Sequence, residues 1–242
     1  MRLAILDCDY LYDNLKQDYI SYPHMFIKAF EASNQPISYE VFSAIDRQLP
    51  NITHEFDGWV IMGSKFGAYD DYPWIHELKA FIRQLYAAGE KLAGICFGHQ
   101  IIHQSLGGKV QKAAVGWGVG VHDYQVLQRP QWLTCLAEDV PAHLSIIVSH
   151  QDQVVETAPG AHVLAGSTFC PNAICTINDQ VFTCQAHPEF TAEYSRILMN
   201  IRRTCIGVEK VELAEMSLLK ALDSRRVLQW LYQLFIQPRK VA

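Results

Sequence analysis

The first half of the chain alternates short apolar runs with segments of helical spacing. Leu3–Leu6 is an uninterrupted apolar run ended by Asp7 and reads as a buried strand. Pro23–Ser33 carries helical spacing in Met25, Ile27, Phe30 and Ala32. Ile37–Ile45 and Phe56–Met62 read as further strands, the second closed by Gly63-Ser64. Trp74–Ala88 puts Leu78, Phe81, Ile82 and Leu85 on one helix face and stops at Gly89. Lys91–Ile95 is a fourth strand that runs straight into Cys96, and Gly98–Leu106 is a helix ended by Gly107-Gly108. Buried strands alternating with helices predict an α/β fold, a three-layer sandwich with a mainly parallel central sheet covered on both faces. Such sheets carry their sites at the carboxyl ends of strands, where Gly63-Ser64 and Cys96 both fall.

From Lys109 to Ala186 the pattern changes to strands: Val119–Leu127, Leu144–Val148, His162–Ala165, Ala173–Ile177 and Val181–Gln185. The last two, joined through Asn178-Asp179, predict a hairpin. Helical spacing returns at Ala192–Cys205 and again from Val211 to Ile236, where Leu218, Leu219, Leu222, Leu228, Leu231 and Leu234 recur without a sustained heptad. These signals predict a domain over residues 1–205 and a C-terminal helical extension over 206–242. The extension reads as a helix packed on the domain rather than a partner-binding coil.

Composition narrows the function classes. Half of the 242 residues are apolar and 19% are charged, which supports a packed core. The net charge is −5 and the basic residues are scattered, so no nucleic-acid footprint exists. No apolar run reaches membrane-spanning length, and the N-terminal run is too short for a signal peptide. The seven cysteines, at 8, 96, 135, 170, 175, 184 and 205, are odd in number and form no C-x-x-C pair. That pattern fits reduced thiols in a cytoplasmic protein.

The chemistry concentrates at Gly94-Ile95-Cys96-Phe97-Gly98-His99-Gln100. A strand, a tight turn bearing one cysteine and a following helix form the cysteine counterpart of a nucleophile elbow. Glycines two before and two after Cys96 allow the sharp turn. The helix N-terminus favours thiolate over thiol, and the Phe97 N–H is placed for an oxyanion hole. A cysteine nucleophile needs a base, and His187-Pro188-Glu189 supplies one: His187 follows a strand, and Glu189 can reach back to orient its ring. Cys96, His99 and His103 also have the spacing of metal ligands on a helix. A zinc-bound thiolate would not be a free nucleophile, however, and no fourth ligand is evident, so no metal is expected.

Together the Gly-x-Cys-x-Gly-His-Gln and His-Pro-Glu motifs resemble those of the class I, or triad, glutamine amidotransferases, chiefly free-standing members related to the amidotransferase domain of GMP synthase. The resemblance runs from residue 1 to about 205 and implies a flavodoxin-like fold with Cys96, His187 and Glu189 as a catalytic triad. It also implies that Gly63, after Asp57–Met62, supplies the second oxyanion-hole N–H beside that of Phe97. Gln100 and the segment Ser149-His150-Gln151-Asp152-Gln153-Val154, with Ser149 and His150, would line the substrate pocket. The implied activity is hydrolysis of a γ-glutamyl amide through a γ-glutamyl thioester, without metal or organic cofactor. Glutamine would be the substrate, its ammonia passing to a separate synthase subunit, since neither a Walker A loop nor a dinucleotide-binding glycine fingerprint is present. The loop Ser64–Asp71 is similar to that of plant γ-glutamyl peptidases and keeps open a stand-alone peptidase acting on glutathione-like compounds or γ-glutamylated amines. A catalytically silent regulatory relative is the third reading, against which the complete set of three roles counts.

Overall fold

In the computed structural model, residues 1–33, 36–52, 55–133 and 140–239 are described. Cys135 lies outside them. In chain order the elements are β1 (Arg2–Asp7), α1 (Lys16–Tyr19), α2 (Tyr22–Ser33), β2 (Ser38–Ser43), β3 (Gly58–Ile61), α3 (Pro73–Ala87), β4 (Leu92–Ile95) and α4 (Phe97–Ser105). There follow β5 (Lys109–Lys112), β6 (Gly118–Val126), β7 (His143–His150), β8 (Asp152–Glu156), β9 (Ala161–Gly166), β10 (Ile174–Ile177) and β11 (Val181–Cys184). The chain closes with α5 (Ala192–Ile201), α6 (Arg203–Ile206), α7 (Val208–Ser217) and α8 (Ser224–Ile236).

Nine strands form one sheet in the order β2-β1-β3-β4-β11-β10-β9-β6-β7. The five from β2 to β11 are mutually parallel, and the remainder pair antiparallel, so the sheet is mixed. Strand alternation sorts side chains into two cores. Leu3, Ile5, Val60, Met62, Ala93 and Ile95 join the face covered by α2, α5, α7 and α8. Ala4, Leu6, Trp59, Ile61 and Leu92 join the face covered by α3 and α4. This is the three-layer sandwich expected from the pattern, because a period of two on a strand buried on both sides must feed two helical layers.

The Asn178-Asp179 turn takes positive φ at both residues, 50° and 53°, with Gln180 N–H donating to the Ile177 carbonyl. That is the primed turn whose twist suits a hairpin. Two features differ from the pattern reading. A two-stranded ribbon of β5 and β8 stands apart from the main sheet. Both strands are short, β5 is mostly exposed and the two buried residues of β8 are adjacent, so no alternation announced the ribbon. The segments expected as single helices are each broken, 192–205 around Arg202 and 211–236 between Ser217 and Ser224. The second break has a visible cause: Asp223 exchanges hydrogen bonds with Ser145 on β7, its N–H donating to the carbonyl and its carboxylate accepting from the amide.

Over 206–242, Val211, Leu218, Leu228, Trp230, Leu231 and Leu234 are buried in the same core as α2. The Phe235 ring lies against the backbone of Gly58 so closely that a Cβ there would sit 2.2 Å from it. Among the described residues, no helix is long and apolar enough to cross a membrane.

Candidate active site

The β4–α4 junction brings Cys96 to the carboxyl end of the parallel strands. Its backbone has φ 53° and ψ −103°, a conformation that costs a non-glycine residue on the order of 1–3 kcal/mol. The turn holds because Cys96 N–H donates to the Cys184 carbonyl and its carbonyl accepts from Gln100 N–H. The flanking glycines serve a purpose other than positive φ. A Cβ on Gly98 would lie 2.0 Å from the Ile61 carbonyl oxygen, and one on Gly94 would lie 2.4 Å from that of Gly98. Both therefore permit close backbone approach, which lets α4 start directly against β3 and β4. The strained residue is the cysteine.

His187 follows β11, and its N–H donates to the Ile147 carbonyl at 2.8 Å. Its Nδ1 lies 2.8 Å from Glu189 Oε1, and its ring shares a small cavity wall with Gly63 and Cys96. With Nδ1 committed to the carboxylate, Nε2 is the ring nitrogen left for proton exchange. The ring stacks on Phe190, centroids 3.9 Å apart and planes 8° from parallel, which fixes its plane. Burial alone would drive the imidazole neutral. The charges of Cys96 and then Glu189 outweigh it and raise His187 to about 10.

Gly63 closes the other side. A Cβ there would come within 3.2 Å of His187 Cε1 and 3.7 Å of Cys96 Cβ. Among the described residues, neither the Gly63 N–H nor the Phe97 N–H has a hydrogen-bond partner. Two free donors thus flank the sulfur, one on the β3 turn and one on the first turn of α4.

Cys96, Gln100, Ser149 and His150 all line a cavity of about 400 Å³, within the usual range of about 300–1,000 Å³ for small-molecule sites. Gln100 spends its amide donors on the Asp152 carbonyl at 2.9 Å and on Gln185 Oε1 at 3.1 Å. His150 is held through Nδ1 by the Asp152 carbonyl, and burial pushes it down to about 3. His99 and His103 face the protein interior: both are fully buried, and His103 bonds Thr183 Oγ1 and the Ala158 N–H. Among the described residues, no group of three or more His, Cys, Asp and Glu side chains is arranged to hold a metal.

Three contributors went unassigned in the sequence. Arg202, at the end of α5, lines the cavity, and among the described residues its guanidinium bonds only neutral groups, Ser149 Oγ at 3.3 Å and the Tyr12 hydroxyl at 3.5 Å. Lys65 is anchored by buried Asp9, whose carboxylate takes both its N–H at 2.8 Å and its ammonium at 3.1 Å. Gln185 donates to Cys96 Sγ at 3.6 Å. Only Gln185 left a sequence trace, lying two residues before His187 on the same side of an extended segment.

A thiol on a strand–helix elbow, near an imidazole held by a carboxylate, is an arrangement able to attack a carbonyl carbon. A sequence model described as "Glutamine amidotransferase class-I" matches residues 15–201, so the chain belongs to that family. It is 35% identical over 195 residues to Gamma-glutamyl peptidase 3 of Arabidopsis thaliana, covering 79% of this chain and 76% of that one. Gamma-glutamyl peptidase 2 of the same plant is 32% identical over 213 residues, covering 87% and 82%. The crystal structure of a glutamine amidotransferase from Methylobacillus flagellatus superposes with a TM-score of 0.74 at 20% identity, covering 100% of this chain and 97% of that one, which shows a shared fold.

Proposed function

We propose that this protein hydrolyses a γ-glutamyl amide bond through a thioester on Cys96, with His187 as acid and base and Glu189 as its orienting carboxylate. The observation that carries the reading is the Glu189–His187 hydrogen bond, with His187 lining one small cavity together with Cys96 and Gly63, beside the Gly63 and Phe97 N–H groups that are unpaired among the described residues. In the first step the Cys96 sulfur attacks the side-chain carbonyl carbon, and the oxyanion accepts from the N–H groups of Gly63 and Phe97. Each such donor contributes about 3 kcal/mol to the transition state. His187 gives its proton to the departing amine as the C–N bond breaks. It then removes a proton from water, which attacks the thioester and releases the γ-glutamyl acid and free thiol. No cofactor enters these steps.

For the substrate we favour a γ-glutamyl peptide. The named similarity to γ-glutamyl peptidases supports this, as does Arg202, which faces the cavity without a carboxylate partner among the described residues and offers a site for a substrate carboxylate. Transfer of ammonia from glutamine to a separate synthase subunit is the second reading, supported by the family to which the chain belongs. The test is glutamate release by the purified chain from glutamine, γ-glutamyl dipeptides and a γ-glutamylated amine, with Cys96→Ala as control. Release from a dipeptide, absent in the control, is expected. Release undiminished in the control would overturn the mechanism, and turnover of glutamine alone would overturn the choice of substrate.

A further inference from the structure

We infer that Gln185 is a third hydrogen-bond donor to the reacting sulfur, held in that orientation by a relay of side-chain amides that begins at the Asp152 backbone. The inference rests on Cys96 being the nucleophile of the proposed function.

The orientation follows from donor and acceptor counting. A carboxamide carries one acceptor oxygen and one nitrogen with two hydrogens, and at ordinary precision the two ends are told apart by their partners. The Asp152 carbonyl can only accept. It lies 2.9 Å from Gln100 Nε2, which fixes that end of Gln100 as the donor. The same nitrogen lies 3.1 Å from Gln185, so the facing atom of Gln185 is its oxygen, Oε1. That leaves Gln185 Nε2 toward Cys96 Sγ at 3.6 Å. Reversing either amide sets two acceptors or two donors against each other inside a closed site, since Gln185 is fully buried and Gln100 is 3% exposed. An unpaired buried polar group costs about 1–3 kcal/mol, so the chain of amides locks itself.

The chemical consequence lies at the sulfur. An N–H pointed at sulfur favours the thiolate over the thiol, because a thiolate is the stronger acceptor and charge strengthens the bond. Gln185 belongs to neither cavity wall around Cys96, so it reaches the sulfur from behind and leaves the attacking side open. Its bond helps fix the side-chain rotamer of a residue whose backbone is already strained. Gln185 is held in turn by its N–H to the Ala173 carbonyl at 2.8 Å. Its contribution is to the charge state and aim of the nucleophile.

The experiment is iodoacetamide alkylation of Cys96, followed by mass spectrometry across pH, in the full chain and in Gln185→Met and Gln185→Glu. Met keeps the volume and removes the donor. Glu keeps an acceptor for Gln100 and sets a carboxylate oxygen against the sulfur. A folded Gln185→Met is expected to alkylate about tenfold more slowly near neutral pH, with its profile displaced upward by about one unit. Gln185→Glu is expected to be slower still. An unchanged rate and profile in either folded variant overturns the inference. If the unaltered protein labels Cys96 no faster than its other thiols, the proposed function fails first. Rapid wild-type labelling with equally rapid Gln185 variants sinks this inference alone.

Discussion

Gly63 offers a test of the site's geometry that separates catalysis from folding. Replacing it with alanine adds one carbon at 3.2 Å from His187 Cε1 and 3.7 Å from Cys96 Cβ. Neither approach is a severe overlap, so the His187 ring need yield only a few tenths of an ångström. A misplacement of about 1 Å at a reacting centre costs roughly 10²-fold in rate, so a shift of this size predicts a loss of about tenfold in kcat/KM. The ring is stacked on Phe190 and bonded to Glu189, so it cannot simply swing away. Gly98→Ala is the contrasting perturbation. Its new carbon would lie 2.0 Å from the Ile61 carbonyl oxygen, where both partners are backbone and nothing can rotate aside. That change should destabilise the protein by about 3 kcal/mol or more. The assay is kcat/KM on a γ-glutamyl dipeptide alongside thermal unfolding. Gly63→Ala should keep its Tm within about 3 °C while losing activity, and Gly98→Ala should lose both. A fully active Gly63→Ala protein would refute the placement of that turn at the reacting centre. An unchanged Tm in Gly98→Ala would refute the packing argument for the elbow.

Three further outcomes follow from the same geometry. Glu189→Gln should lower kcat by roughly 10³–10⁴-fold, less than Cys96→Ala, because orienting a base is a smaller contribution than the nucleophile; equal, complete loss in a folded variant contradicts that ranking. Burial holds His103 down to about 4, and the Ala158 N–H already occupies its Nδ1, so the folded protein keeps this ring neutral where the unfolded chain protonates it. Its contribution should therefore be lost as pH falls from about 6.5 toward 4, on the order of 3 kcal/mol in full, and His150, held down to about 3, acts in the same direction. Urea unfolding from pH 7 to 4 measures this, and stability flat over that range contradicts it. Arg202→Met should raise KM for a γ-glutamyl dipeptide by roughly tenfold or more with a smaller change in kcat. An unchanged KM removes Arg202 from substrate binding.

The layered fold and the family were legible in the sequence because both rest on local signals. Apolar runs such as Leu3–Leu6 and the face of Leu78, Phe81, Ile82 and Leu85 announce a strand and a helix by periodicity. The elbow around Cys96 and the His187-Pro188-Glu189 turn are contiguous, so their residue types could be read directly. The β5–β8 ribbon escaped because strands of four and five residues, with one buried side chain in the first and two adjacent ones in the second, carry no period of two. The break at Asp223 escaped because its cause is Ser145, on a distant strand. Arg202 and Lys65 are ordinary polar residues in sequence, and Gln185 is marked there only by its spacing from His187. Their roles exist only because the fold sets β11 beside β4, the end of α5 beside Ser149, and Asp9 beside Lys65. The sequence determined which groups could do chemistry. The tertiary structure decided which of them meet, since hydrogen bonds and unpaired donors depend on distances between segments that sequence spacing does not constrain.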